Sequence, residues 1–379
     1  MKHEEKVAVT DSQILDEVID TLSAHIDLPM QGSFTKENLF EVLVRAATTA
    51  DTVEHTSKLL TDVPNGNNIR YHLNKLNDIK SLTNDLNEAL QSRIPPRLEN
   101  NKLKLAIDLN LIPYYGEPTD TELPYIYRSQ AKSGTCSFYA YATLYVISKG
   151  KRVTLALHPV ERTETMVCTI THLLDRLSPL NITPKMLYLD RGFYSVPVIR
   201  WLQLHDIPFV MPVIVRGKKG GTRAIVDEKK TYKTPYTMKS NDYGIVTFQI
   251  WVVGKYYKGK RGRHGVDYLA FVVHKVPIAI RALPEDYRSR FGIETSYRLK
   301  NLSRIRTTTK KPAIRLLFVG IAFLLTGLWV YILWTHVSTP RKGGRKIHAE
   351  LLQFRTMLEF LRQAVDSKYR LRSEVILLQ

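Results

Sequence analysis

Three carboxylates stand where a carboxylate needs a reason. Asp108 lies in "KLKLAIDLNLIPYYG", where Leu103, Leu105 and Ile107 alternate with Lys104, Ala106 and Asp108. That alternation predicts a strand with the acid on the face opposite its apolar residues. Asp190 closes "KMLYLD", a continuous apolar run of the kind buried on both faces of a sheet, and Arg191 and Gly192 follow it at a turn. Glu294 falls inside "RALPEDYRSRFGIETSYRLKNL", which reads as helix. A charge at the end of an apolar strand is costly unless it is solvated, paired or bound to metal. Three such acids brought together would repel one another, and Mg²⁺ or Mn²⁺ would offset the repulsion, since oxygen-only ligands suit hard ions. Two ions about 4 Å apart can carry phosphodiester chemistry without a protein nucleophile: one activates water or a 3′-hydroxyl, the other stabilises the leaving oxygen. Each acid also has a plainer reading. Asp108 can cap a turn, Asp190 can pair with Arg191, and Glu294 with Arg290 or Arg298.

The predicted helix around Glu294 favours the chemical reading. Tyr287, Arg290, Glu294 and Arg298 are spaced 3, 4 and 4, one stripe of a helix. Aromatic, cation, acid and cation make poor core material. The chain as a whole is basic, with a formal net charge of +19 over 379 residues. The charge is unevenly spread. Residues 1–98 hold 10 Lys+Arg against 15 Asp+Glu, and the remainder 45 against 21. A balance of that size on the larger part suits a polyanion, nucleic acid before an anionic membrane. The two cysteines, Cys136 and Cys168, are too few for a zinc site of their own or for a disulfide framework, and a reducing cytosol fits them.

The elements that must position these acids follow from hydrophobic period. Residues 11–93 read as an acidic all-α domain. Within it, "TVEHTSKLLTDVPNGNNIRYHLNKL" has the size of a helix-turn-helix whose second helix would expose Arg70, His72 and Lys75; a helical bundle without DNA contact is the alternative. "QSRIPPRLENN" reads as a linker. Beyond it come three strands ("KLKLAIDLNLIPYYG", "YATLYVISK", "RVTLALHPV", the last two joined at Lys149-Gly150-Lys151), a helix to about 177, "KMLYLD", the helix "VPVIRWLQLHD" and the strand "PFVMPVIV". Three strands, helix, strand, helix, strand is the order of a ribonuclease-H-like α/β core. Residues 216–276 read as basic, Gly-punctuated hairpins inserted into that core, and 345–379 as an amphipathic helical tail. The division expected is therefore 1–98 helical and possibly DNA-binding, 99–336 catalytic with the β-rich insertion, and 337–379 tail.

"YLDRGFYS" and "YRSRFGIETSYRLK" resemble the signatures of DDE transposases of bacterial and archaeal insertion sequences, in the class with a Tyr-x2-Arg-x3-Glu-x6-Lys motif. "DLNLIPYYG" is similar to the first-acid region of an archaeal branch of that class. The resemblance covers about residues 100–336. It implies cut-and-paste DNA transposition by metal-dependent cleavage and strand transfer, with Asp108, Asp190 and Glu294 as the metal-binding catalytic triad and two Mg²⁺ (or Mn²⁺) ions as cofactor. It implies that Tyr287 and Arg290 act near the DNA end. The motif's Lys is expected at 301, where Asn301 stands; Lys300 is one short, about 100° round a helix, so Lys300 reaching round or Arg298 in its place would do the work. Asp120 is the other candidate for first acid. Trp201 could stack on a flipped base, or be core. The run from Lys255 to Arg263, with Lys258, Lys260, Arg261 and Arg263 beside Tyr256 and Tyr257, suits a DNA channel or a solvated loop. DNA partners would be the element's own ends and its target, the active complex a homodimer, and the location the cytoplasmic nucleoid.

One stretch competes with this reading. Residues 316–334 are nineteen without a charge, long enough to span a bilayer. Basic sequence on both sides gives no orientation. A helix apolar all round is equally a buried one, and burial without a membrane is expected here. The alternatives are an inactive, transposase-derived DNA-binding protein and a single-span membrane protein with a basic cytosolic domain.

Overall fold

Five helices precede the sheet: α1 (Asp11–His25), α2 (Lys36–Thr48), α3 (Val53–Leu59), α4 (Gly66–Leu73) and α5 (Ile79–Ser92). The computed structural model describes residues 8–95, 97–148, 152–218, 220–257 and 265–374. Thr10 and Thr35 start α1 and α2 as N-caps, each closing a capping box with the residue three positions on, Gln13 and Asn38. Ile14, Leu15, Val18, Ile19 and Leu22 form the buried stripe of α1. In the expected helix-turn-helix, α4 does not present all three named cations. His72 is 1% exposed, with Nδ1 3.2 Å from the Pro29 carbonyl, and Arg70 is paired with Glu54 at 2.9 Å. The expectation that His72 is exposed is thus corrected: it fills the angle between α4 and the segment before α2.

The sheet is built from β1 (Lys102–Pro113), β2 (Ile126–Lys132), β3 (Thr135–Val146), β4 (Thr154–Pro159), then α6 (Met166–Asp175), β5 (Thr183–Tyr188), α7 (Val196–Leu204) and β6 (Phe209–Pro212). β1 pairs antiparallel with β3 on one side and parallel with β5 on the other. β3 gives its outer edge to β2 in its first half and to β4 in its second. β5 and β6 are parallel. The order β4-β3-β1-β5-β6, three antiparallel strands then two parallel ones with helical crossovers, is the ribonuclease-H-like arrangement expected from sequence. β2 was not legible: it is polar and mostly exposed.

The basic segment after β6 opens with a short helix, α8 (Thr222–Asp227), where strands are expected. Its strands β7 (Tyr232–Ser240), β8 (Gly244–Tyr257) and β9 (Gly265–His274) form a meander. They extend the core sheet, because β9 pairs antiparallel with β6 from Phe209↔His274 to Pro212↔Phe271. The Lys149-Gly150-Lys151 turn lies outside the described residues.

Then follow α9 (Leu283–Arg288), α10 (Gly292–Leu302), α11 (Pro312–Thr335), the hairpin β10 (Ser338–Arg341) and β11 (Gly344–Ile347), and α12 (Phe354–Tyr369). The tail is therefore not one helix from 345; the hairpin takes its first part. α12 packs on α1 and α2, and Arg45–Asp366 (2.5 Å) and Lys368–Glu41 (2.6 Å) fasten it there.

α11 is the one described helix long and apolar enough to cross a membrane, at a mean hydropathy of 2.4, and 89% of its most apolar stretch is buried. Its neighbours are α2, α5, α10, α12, β4 and the β10–β11 hairpin. Each Leu, Ile, Val or Phe so buried contributes about 1.5–3 kcal/mol, which makes α11 the spine of the helical core. Gly320 marks its closest approach to α5, for a Cβ there would meet Leu86 Cδ2 at 2.5 Å and Cδ1 at 2.7 Å. Gly320→Val is expected to lower the stability by about 1–3 kcal/mol through overpacking, read as a lower denaturant midpoint; an unchanged midpoint would mean that α5 and α11 are not in close contact.

Candidate active site

Asp108 sits in β1 opposite Thr143 of β3. Its main chain is held by α10: the Tyr297 hydroxyl donates to the Asp108 carbonyl (3.0 Å) and accepts from the Thr143 hydroxyl (2.7 Å). One half-buried tyrosine thus bridges two strands and a helix at the level of the acid. Burial, with the nearby Asp108, pushes its ionisation well above the usual range.

Asp190 follows β5 and caps the 3₁₀ turn Arg191–Phe193, its Oδ1 accepting from the Gly192 N–H at 2.8 Å. A Cβ at Gly192 would stand 3.0 Å from that oxygen, so the residue after Arg191 must be small to let the carboxylate fold back. The Tyr287 hydroxyl donates to the Leu189 carbonyl at 2.8 Å, next to the acid. Asp286 accepts from the Tyr188 hydroxyl and pairs with Lys104. These bonds fix α9 across the ends of β5 and β1.

Glu294 lies in the first turn of α10, not mid-helix, because a 3₁₀ turn over Ser289–Phe291 separates α9 from α10. A carboxylate there is favoured by the positive end of the helix dipole. Its side chain is 50% exposed.

Arg290 joins the acids. Its Nη1 is 3.6 Å from Asp108 Oδ2 and its Nη2 is 3.5 Å from Glu294 Oε1. Both are ion-pair distances longer than a good hydrogen bond. The guanidinium lies 5.6 Å from the Tyr287 ring centre and 5.2 Å from that of Phe291, and its buried Nε has no partner. The Asp108 carboxyl is pushed up to about 7, first by burial and then by the charge of Asp190, with Glu294 adding to it and Arg290 opposing. The three acids therefore share one electrostatic site, although positions 108, 190 and 294 are remote along the chain. The ligand atoms of the three acids do not all fall within 4.8 Å of one another; among the described residues, the group of acids, His or Cys that does so is a different one, on β4 and α6.

An all-oxygen donor set suits a hard divalent ion. The crowding at Asp108 is the feature such an ion reverses, since a bound dication inverts the local cost of ionising a carboxyl. The residues present fit the group.

Other expected site residues fall differently. Tyr287 (7% exposed) and Arg290 (8%) are buried, Arg290 beside Asp108 and Glu294. Lys300 is fully covered. It is 0% exposed, its Nζ has no hydrogen-bond partner, and it points over the Phe323 ring of α11 at 5.6 Å. Helical rotation explains this: six residues past Glu294, position 300 turns to the buried side and Asn301 to solvent. Arg298 is exposed, with a 3.4 Å bond to Thr295. Trp201 is half-buried on α7 and stacks on His205 at 4.1 Å. Asp120 is exposed in the loop after β1. Lys258, Lys260, Arg261 and Arg263 lie outside the described residues. Sequence reasoning missed Tyr297, Asp286, Lys104 and Tyr188. Only Tyr297 carried a signal, three residues after Glu294 and so on a neighbouring part of the helix surface.

A mixed sheet in this order, with an acid on its first strand, one after its parallel strand and one on a following helix, defines a ribonuclease-H-like enzyme core. Residues 101–327 match the family model described as Transposase DDE domain, and the chain belongs to that family as a DDE transposase. It is also similar to the piggyBac transposase in the cryo-EM structure of its synaptic complex with hairpin DNA: 13% identity, a TM-score of 0.54, 94% of this chain and 78% of that one covered. That likeness is one of fold. No curated protein sequence matches the chain.

Lys300 yields a pH prediction. Burial, then Arg304, lowers its ammonium from 10.5 to about 7. Below pH 7 both folded and unfolded chains hold the proton and the fold bears the whole cost. Between 7 and 10.5 only the unfolded chain holds it, so stability rises with pH there. Lys300→Met should gain about 1–4 kcal/mol near pH 6 and progressively less toward pH 10 in denaturant melts. A gain equal at both pH values would show that the lysine is not desolvated.

Proposed function

We propose that the chain performs cut-and-paste transposition of an insertion sequence, cleaving DNA at the element's ends and joining the freed 3′-hydroxyls to target DNA, in a metal-dependent reaction. The observation that carries this is the convergence of Asp108, Asp190 and Glu294 on one electrostatic site, with Arg290 between Asp108 and Glu294. The signature around Tyr287, Arg290 and Glu294 supports assignment to the insertion-sequence class named above and its archaeal-like branch.

Asp108, Asp190 and Glu294 would hold two Mg²⁺ ions, which when bound supply activation of the attacking oxygen and stabilisation of the leaving one. Arg290 orients the Asp108 and Glu294 carboxylates, and Tyr287 sets the end of β5 through Leu189. The Tyr297 bridge keeps α10, and with it Glu294, in register with β1. The +19 charge draws the phosphate backbone, and Arg298, exposed one helical turn from Glu294, meets it beside the acids. Trp201 is assigned to DNA with the basic run around Lys258, Lys260, Arg261 and Arg263. We assign 1–98 to a helical domain, 99–336 to the catalytic domain and 337–379 to the tail. The working form is a homodimer on the nucleoid.

With purified protein, labelled element-end DNA and Mg²⁺, Asp190→Ala and Glu294→Ala should each lose cleavage and joining while binding DNA as the parent does. Activity that survives both substitutions removes the assignment. Arg298→Ala should weaken binding across sequences and reduce the slope of log affinity against log salt by about 1; an unchanged slope would take Arg298 away from the phosphates.

A further inference from the structure

We infer that the chain carries a second metal site, for a divalent transition ion such as Zn²⁺, formed by His158, Glu164 and His172. It shares no residue with the acid triad. His158 stands on β4, which is bonded to the sheet only through β3 and so forms an edge. Glu164 lies in the turn that leads to α6, and His172 on α6 itself. One ligand atom from each of the three falls within 4.8 Å of the others.

The side chains are set as a ligand group. His158 Nε2 is 2.9 and 3.0 Å from the two Glu164 oxygens. The His172 ring stacks on that of His158 at 4.6 Å between centres and 28° between planes, and among the described residues it makes no hydrogen bond of its own. An imidazole without a polar partner beside a carboxylate and a second imidazole is a donor set awaiting a cation. Glu164 is also held from behind. The Thr169 hydroxyl donates to its Oε1 at 2.8 Å and the Glu161 N–H to its Oε2 at 3.2 Å. Thr169 is fully buried, so this support is rigid. Outer partners that orient a ligating carboxylate are what metal sites require. Two imidazoles and one carboxylate suit a borderline ion better than Mg²⁺, and three protein ligands leave a position open. Bound metal would clamp α6, through His172 in its last turn and Glu164 before its start, to the edge strand.

The test uses full-length Asp190→Ala protein, stripped with chelator, so that the acid triad does not contribute. Equilibrium dialysis against Zn²⁺ should give one ion per chain, and Co²⁺ should give the visible absorption of a low-coordinate site. His172 is exposed, so His172→Ala should keep the fold by circular dichroism while binding Zn²⁺ at least tenfold more weakly. Thr169→Val should weaken binding by about 10–100-fold, as loss of an outer partner does. No stoichiometric Zn²⁺ in the Asp190→Ala protein, or binding unaltered by His172→Ala, overturns the site and leaves His158 and Glu164 a hydrogen-bonded pair.

Discussion

Repulsion among three carboxylates is the constraint that the rest of this molecule serves. Left to themselves, Asp108, Asp190 and Glu294 would separate or take up protons; the Asp108 carboxyl is raised first by burial and then by the charge of Asp190. The fold holds them partly by their main chains and partly by their carboxylates, as where Asp190 Oδ1 accepts from the Gly192 N–H. Tyr297 grips the main chain of Asp108, Tyr287 grips that of Leu189, and Asp286 ties β1 to β5 through Lys104 and Tyr188. Arg290 supplies a cation between Asp108 and Glu294, at distances longer than good hydrogen bonds.

The sheet is the frame on which this depends. β1 lies between an antiparallel and a parallel neighbour, so Asp108 is flanked by β3, which gives Thr143, and by β5, which leads to Asp190. The meander β7–β9 does not stand apart as an inserted module but continues the same hydrogen-bonded surface outward from β6. Any shift of the basic strands is therefore felt at β6, one strand removed from the end that carries Asp190.

Much of this was legible in the sequence. The alternation around Asp108, the apolar run ending at Asp190 and the charge-bearing helix around Glu294 each reported a local property, and strands and helices are local. What was not legible depended on contacts distant in the chain. β2 is polar and is a strand because β3 offers it an edge. The break between α9 and α10 over Ser289–Phe291 turned an apparent outward stripe inward at Tyr287 and Arg290. The tertiary packing of α10 on α11 decided that Lys300 is covered, which helical spacing alone left open. His72 was read as surface because its helix is polar, yet the segment before α2 lies over it.

The enclosure of α11 bears on how the chain is made. Its walls come from both ends of the sequence: α2 and α5 are synthesised long before it and α12 after it, and the strand-like contacts of Thr61 with Tyr369 and of Arg372 with Leu59 close the two ends together. Until α12 leaves the ribosome, the most apolar described helix has an incomplete cover. For that interval it carries the same features that translocation machinery reads in a genuine span. The acidic N-terminal helices, made before it, are then the nearest surface of this chain that can cover α11.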